Sequence, residues 1–485
     1  MIPPAVPDSH AQPPHHAAPQ NSLDYSPEDY SRKTSQSKKR IGGKTNRSPL
    51  YRVWFLLVLT LIYASSFVDR IIIAVVGQPI KMQMNLSDFQ VGLLGGFAFS
   101  IFYATLGIPV ARIADRFNRV KLISITITAW SVMTALCGTA GAYWQLLLYR
   151  LGVGIGEAGS TPTSHSLISD QFTPERRASA LALYALGPPI GVIAGALGGG
   201  WIAQHIGWRP VFFIAGIPGL ILGILAFLTL REPPRDPSRV EVPALKAVLS
   251  LLFSSRLFVQ MLLGVVVAAF AQYAINLFIP IYLIRVFHML PAQAGLIFGC
   301  IVGIGGIIGG ALGGPLADWG AKHNSRWYAL VPALGTLGAF PLLALGFRQN
   351  SWIFATVLLL LGTITVSVWN GPTFSIVQGL VTPRMRATAS AVVFLLMNLI
   401  GQGFGPPALG FVSDKIAAHV FGNPDYATIC SPASLKAGLP ANVAHACGAA
   451  SASGIRWAML IFCVFLIWGA LHYFLAARHI NKKPA

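Results

Sequence analysis

Apolar stretches of about 20 residues recur along this chain, each long enough to cross a bilayer as a helix. They fall at 53–80, 88–113, 121–140, 143–168, 176–200 and 208–230. After a charged, proline-bearing stretch from Arg231 to Arg256, six more follow at 257–285, 293–317, 327–347, 351–377, 386–412 and 454–478. Twelve crossings place both ends of the chain on one side. Residues 1–50 break the pattern: they are rich in Pro, His, Ser and Gln, hold no apolar run and end in a basic cluster, Arg32 to Arg47. A disordered tail without a cleavable signal peptide is expected there.

The two sets of six repeat. Leu316-Ala317-Asp318 answers Ile113-Ala114-Asp115 at an offset of 203. Thr382-Pro383-Arg384-Met385-Arg386-Ala387-Thr388-Ala389 answers Thr173-Pro174-Glu175-Arg176-Arg177-Ala178-Ser179-Ala180 at an offset of 209. Two parallel halves joined by a linker predict a central cavity between them. The expected fold class is an all-α membrane protein with twelve transmembrane helices in two pseudo-symmetric bundles, 51–230 and 257–480. The linker is 231–256, and 413–453 is an unusually long outer loop.

Charge then sets the orientation. Of 485 residues, 54% are hydrophobic and 11% charged, against roughly 25% charged in a soluble chain. The net charge of +19 raises nucleic acid as a partner, but the lysines and arginines are dispersed at segment ends, which fits orientation in a membrane better. Lys81, Arg209, Arg285, Arg348, Lys415, Lys436 and Arg456 fall on one side, and every other Lys or Arg outside the spans falls on the side of the termini. The positive side is the cytoplasmic one. An enzyme is not expected, because no Ser/His/Asp spacing, zinc-ligand spacing or phosphate-binding loop appears outside the apolar helices; Ser164 and His165 read as cavity wall. Neither metal nor organic cofactor is expected. Cys430 and Cys447 share the outer loop, where an oxidising compartment favours a disulfide.

Four charges lie inside spans: Asp69 and Arg70 on the first, Arg150 and Glu157 on the fourth. A charge at membrane depth costs at least ~2.5 kcal/mol, so such residues are rare and usually mark the route of an ion or substrate. Arg150 and Glu157, seven apart, return to within ~20° of one helix face, ~10 Å apart along the axis. The repeat offsets map these four onto Gln272, Tyr273, Leu359 and Val366, so the second half has no equivalent charges. It offers Gln272, Tyr273, Asn276, Asn370, Asn398 and Gln402 among aromatic and aliphatic residues. Two bland readings stand beside this: static pairs, Asp69–Arg150 or Arg70–Glu157, and amides that only join helices. Gly152-x-Gly154-x-Gly156 reads as helix packing, since no strand precedes it.

Ala111-Arg112-Ile113-Ala114-Asp115-Arg116-Phe117-Asn118-Arg119-Val120-Lys121 resembles the loop signature of the major facilitator superfamily, with Ala111 and Asn118 where glycines are usual. Gly314-Pro315-Leu316-Ala317-Asp318 is similar to its second copy. Arg150-Leu151-Gly152-Val153-Gly154-Ile155-Gly156-Glu157-Ala158, with Ser169-Asp170-Gln171-Phe172, Gly207-Trp208-Arg209 and Arg231-Glu232-Pro233, resembles the Spinster-like branch over residues 51–480. The resemblance implies secondary active transport, by alternating access, of amphipathic lipids such as lysophospholipids or sphingosine-1-phosphate-like molecules. It further implies protons as the coupling ion and, for a bacterial member, the inner membrane.

Spans 1 and 4 line the cavity in that superfamily, so Asp69 and Glu157 are expected to face one water-filled space and exchange protons there. Burial disfavours a charged carboxylate and a nearby guanidinium favours it. Arg150 is expected to hold an anionic headgroup through its planar fork, with Arg70 either the partner of Asp69 or a second contact to the anion, and the acyl tail toward the second half. Asp115, with Arg116 and Arg119, and Asp318 in the second copy, are expected to hold an inner gate. A monomer among membrane lipids is expected. Efflux of drugs or other organic anions, and a non-transporting lipid sensor, are the competing functions.

Overall fold

The computed structural model describes residues 48–233, 245–382 and 385–480. The expected tail, apart from residues 48–50, and positions 234–244 of the expected linker lie outside the described residues. Among the described residues every regular element is a helix. Span 1 is Pro49–Met84, span 2 is Asp88–Gly95 continued by Phe97–Arg116, and span 3 is Arg119–Cys137. Span 4 is Tyr143–Glu157 continued by Ser160–Gln171, and spans 5 and 6 are Ser179–His205 and Trp208–Thr229. In the second half, spans 7 to 9 are Arg256–Phe287, Pro291–Ala321 and Trp327–Arg348. Spans 10 to 12 are Trp352–Gly379, Thr388–Phe421 and Ala441–Arg478.

Eleven of these are long and apolar enough to cross a membrane among the described residues; span 4 is the exception. It breaks at Ala158 and Gly159, and its second part, Ser-Thr-Pro-Thr-Ser-His-Ser, is polar. The span with the least hydrophobic driving force therefore carries Arg150 and Glu157.

Helix starts follow local chemistry. Ser87 opens span 2 with a reciprocal capping box to Gln90, which satisfies two otherwise orphaned N–H groups. Asn118, standing where the loop signature has glycine, caps span 3: its side-chain oxygen accepts from the Lys121 N–H at 2.9 Å. Gly207 turns the chain from span 5 into span 6 at φ +108°, a conformation that glycine adopts without steric cost.

The long outer loop expected at 413–453 is mostly helix. Span 11 runs on to Phe421 and span 12 begins at Ala441, leaving a connection of 422–440 with two short helices, Tyr426–Ile429 and Pro432–Ala437. Hydropathy ends where the apolar layer ends, but alanine-rich sequence such as Ala441–Ser453 continues a helix beyond it. Within this region Cys430 and Cys447 form a disulfide.

The Tyr51 hydroxyl accepts from the Arg231 N–H at 2.8 Å, Trp54 donates to Thr229 at 3.0 Å, and Arg326 donates to the Ile480 carbonyl at 3.2 Å. These bonds gather the start of span 1, the end of span 6, the connection between spans 8 and 9, and the end of span 12. We call this the terminal side and the opposite one the far side.

The halves meet along two seams, span 2 with span 11 and span 5 with span 8. Both are built from small residues, which let backbones approach where lipid supplies no hydrophobic drive. Gly92 lies against the Pro406 and Pro407 backbone, Gly410 against Asp88, and Gly200 against Gly295. Toward the terminal side the seam of spans 5 and 8 parts. Gly309 and Gly313 of span 8 pack on span 10, Gly187 and Gly191 of span 5 pack on span 1, and Gly306 and Gly310 have nothing within 4 Å of a Cβ position. The second-half member of each seam carries a π-helical turn, Gly299–Ile304 in span 8 and Met397–Gln402 in span 11. Such turns are frequent where helices do functional work.

Candidate functional site: an intramembrane charge cluster and a far-side latch

Span 4 is drawn into the first half by its glycines. A Cβ on Gly154 would strike the Phe99 carbonyl of span 2, and one on Gly156 the backbone of Trp130 in span 3. This approach places Phe99 between Arg150 and Glu157 along the helix. Arg70 donates from Nε and Nη2 to Glu157 Oε2, at 2.9 and 2.8 Å. Its guanidinium also rests on three rings, with centroids at 4.9 Å for Phe67, 4.7 Å for Phe99 and 4.5 Å for Tyr103. Cation–π contacts of this kind reach about 2 kcal/mol when desolvated.

Arg150 is arranged differently. Its Nη1 donates to the backbone carbonyl of Asp69 at 3.1 Å, its Nε to that of Leu94 at 3.5 Å, and its guanidinium stands 5.7 Å from the Phe99 ring. Among the described residues, both Asp69 carboxylate oxygens and Glu157 Oε1 are buried without a hydrogen-bond partner. Thr134 of span 3 is the polar side chain beside Asp69, outside hydrogen-bonding geometry. Of the two static pairs considered from sequence, Arg70–Glu157 forms, whereas Arg150 takes the carbonyl of Asp69 rather than its carboxylate.

One expectation is corrected. Asp69 and Glu157 were expected to look into a shared water-filled space, yet they are 0% and 1% exposed. Phe99 and the close approach of span 2 seal them inside the first half. Arg70, with 13% of its side chain exposed, reaches furthest toward the space between the halves. Tyr273 of span 7, in the other half, lies close enough to Arg70 and Tyr103 to sense their charge. Gln272 and Asn276 are half-buried on span 7, and Asn370 is exposed on span 10. Asn398 donates to the Phe394 carbonyl of its own helix at 2.7 Å. Gln402 is buried on the seam with span 2, where its carbonyl faces Gly96 and its Oε1 lacks a partner.

On the terminal side, the Asp115 side chain lies outside the described residues and Arg116 is exposed. Among the described residues Arg119 ties the first half to the start of the linker: it donates to Asp170 at 2.5 Å, to Ser166 at 2.8 Å and to Glu232 at 2.7 Å. Asp318 accepts from the Tyr328 hydroxyl at 2.7 Å, within the second half.

The far side carries a cluster that the sequence reading passed over. Asp88 accepts from both Nη atoms of Arg285, at 2.7 and 2.6 Å, from Lys81 at 2.6 Å and from Ser413 at 2.7 Å. Gln78 accepts from Arg285 Nε at 2.9 Å. Asp414 accepts from the N–H groups of Asp88 and Phe89, at 3.0 and 2.9 Å, where a helix start favours negative charge. Gln78, Lys81 and Asp88 belong to the first half; Arg285, Ser413 and Asp414 belong to the second. Lys81 and Arg285 read as orientation charges because they sit at span ends, and nothing in sequence brings Arg285 to Asp88 across 197 positions. Phe67, Phe99 and Tyr103 were missed for a similar reason: aromatic residues in apolar helices are core by default. A separate apolar crevice of about 620 Å³ lies between spans 5, 6 and 8 at Leu197, Trp201, Ile214 and Leu296; none of the charged residues above lines it.

Residues 59–406 match the model of the Major Facilitator Superfamily. An MFS-type efflux pump of Mycolicibacterium smegmatis is 34% identical over 75% of this chain and 85% of its own. Human protein spinster homolog 1 is 28% identical over 77% of this chain and 75% of its own. The crystal structure of a bacterial homologue of the human lysosomal transporter Spinster, inward-facing and unoccupied, superposes with a TM-score of 0.81 at 33% identity. It covers 90% of this chain and 100% of that one. With its two six-span halves and its charges buried at membrane depth, the chain belongs to the Major Facilitator Superfamily of transporters, among the Spinster-like members.

Proposed function

We propose that this protein is a proton-coupled secondary transporter of amphipathic lipids with an anionic headgroup, in a bacterial inner membrane with both termini in the cytoplasm. The observation that carries this reading is the Arg70–Glu157 pair beside a buried Asp69 carboxylate that has no hydrogen-bond partner. A buried carboxylate left without a partner is uncompensated charge, and a proton removes that charge. A proton on Glu157 frees the guanidinium of Arg70, the member of the cluster nearest the space between the halves, to hold a phosphate or carboxylate through its planar fork. Departure of the anion returns Arg70 to Glu157 and expels the proton. Arg150, tied to the Asp69 and Leu94 carbonyls, keeps spans 1, 2 and 4 in register and carries a second positive charge.

The second half supports the same reading by what it presents. Tyr273, Gln272 and Asn276 on span 7 are neutral, as a wall for the glycerol backbone and acyl tail requires, and exposed Asn370 on span 10 is a peripheral contact; Gln402 and Asn398, both buried on span 11, serve packing rather than the substrate. The probable sphingolipid transporter spinster homolog 1 of Arabidopsis thaliana, 26% identical, supports a lipid. In the proposed orientation the parted side faces the cytoplasm. Asp115, Arg116 and Asp318 would close that side in the alternate state, while Arg119 braces the first half. Efflux of small organic anions is the second reading, favoured by the Mycolicibacterium smegmatis relative.

Flux of a labelled lysophospholipid through proteoliposomes, with and without an imposed pH gradient, tests both. Wild-type protein is expected to show gradient-driven flux, with Glu157→Gln and Asp69→Asn each reducing the gradient-driven part at least tenfold. Gradient-driven flux that survives unchanged in both variants would remove the proton assignment. No lysophospholipid flux from wild type, with flux of an organic-anion dye in the same vesicles, would replace the lipid with a drug-like substrate.

A further inference from the structure

We infer that Phe99 is a positioning residue whose ring carries Arg70 while Glu157 holds a proton and no anion has yet taken the guanidinium, so that Phe99 sets the pH range of transport. The inference rests on the proton-exchange reading above and deepens it. Phe99 is fully buried and faces two guanidiniums at once, Arg70 at 4.7 Å and Arg150 at 5.7 Å from its centroid. Two like charges from different helices share one ring because Gly154 lets the Phe99 backbone lie directly on span 4. Arg70 thus has two kinds of partner, the Glu157 carboxylate and the negative faces of Phe99, Phe67 and Tyr103.

The two partners are not equivalent as Glu157 changes charge. A guanidinium already paired with a carboxylate presents less charge to a ring than one that has lost its counter-ion, so the ring contact strengthens when the pair opens. The cage therefore stabilises the protonated state more than the ionised one. The charged and titratable groups facing Glu157 are Arg70 and Asp69 from span 1 and Arg150 from its own helix; Tyr103 from span 2 and Tyr273 from span 7 face Arg70. Among these, Phe99 lies against both arginines. Weakening its ring leaves Arg70 more dependent on Glu157, which then gives up its proton more readily. The sign is fixed: a weaker ring moves the pH of half-maximal flux in the acidic direction.

The experiment is flux against pH for the full-length protein carrying mono-, di- and trifluorophenylalanine at position 99. These side chains keep the shape of phenylalanine and progressively drain the ring face of electron density. A graded acidic displacement of the midpoint by about half a pH unit or more across the series, with maximal flux within twofold of wild type, is the expected result. Phe99→Leu should move the midpoint further, and Phe99→Trp should restore it. A flat midpoint across the fluorinated series, in protein whose wild type shows pH-dependent flux, overturns the inference and reduces Phe99 to packing. Wild type without pH-dependent flux is a separate outcome: it overturns the proton reading and this inference with it.

Discussion

Arg119 and Arg150 are both nearly fully buried, yet their partners assign them different work. Arg119 is held by the carboxylates of Asp170 and Glu232, which join the starts and ends of spans 3, 4 and 6 on the terminal side. Breaking a buried pair by removing one partner costs about 3 kcal/mol. Arg119→Gln is therefore expected to lower the thermal midpoint of the detergent-solubilised protein while leaving the pH midpoint of residual flux in place. A displaced pH midpoint with unchanged stability would instead put Arg119 in the coupling machinery. Among the described residues Arg150 bonds main-chain carbonyls alone, so its charge stays available to the field around Asp69 and Glu157.

Among the helices, span 4 shows how sequence grammar becomes position. Its glycines carry no side chain to bury, but they bring Phe99 and Trp130 onto the helix between its two charges. Gly154→Ala would drive a methyl group into the Phe99 carbonyl, a backbone atom that cannot swing aside. Overpacking of this kind costs about 2 kcal/mol. Gly198→Ala on span 5 meets nothing within 4 Å and exchanges glycine for a better helix former, so it should be neutral or slightly stabilising. Thermal unfolding of the two variants side by side checks the contrast. Equal stability would mean that span 2 has room to move away from span 4.

For the molecule as a whole, the far-side cluster holds the two halves together while spans 5 and 8 part toward the terminal side. Arg285 is its hub, since it reaches Asp88 and Gln78 of the other half. The connection 422–440, closed by Cys430–Cys447, reaches over the same region, where the Ala433 N–H donates to Asn85. Arg285→Gln removes charge from one partner of a buried pair and should shift the population toward a state open on the far side. Leu277 of span 7, which packs against Gly95 of span 2 where the two halves touch, gives the readout. A cysteine at position 277 should label several-fold faster with a membrane-impermeant maleimide in the Arg285→Gln background. Unchanged labelling would mean that the small-residue seams alone keep that side shut.

Much of this protein is written along the chain. Twelve apolar segments, their repetition at offsets near 200, and four charges at membrane depth are one-dimensional signals, because the bilayer allows few solutions for an apolar segment of that length. Asp69, Arg70, Arg150 and Glu157 could be singled out for the same reason, since charge in hydrocarbon is expensive wherever the helix points. What each charge meets is decided by helix rotation and by close approach at individual glycines. Only the packed molecule gave Arg70 to Glu157, turned Arg150 onto a carbonyl, sealed both carboxyl groups away from the space between the halves, and brought Asp88 to Arg285. Those pairings join residues on different helices, and their distances depend on packing that no local pattern encodes.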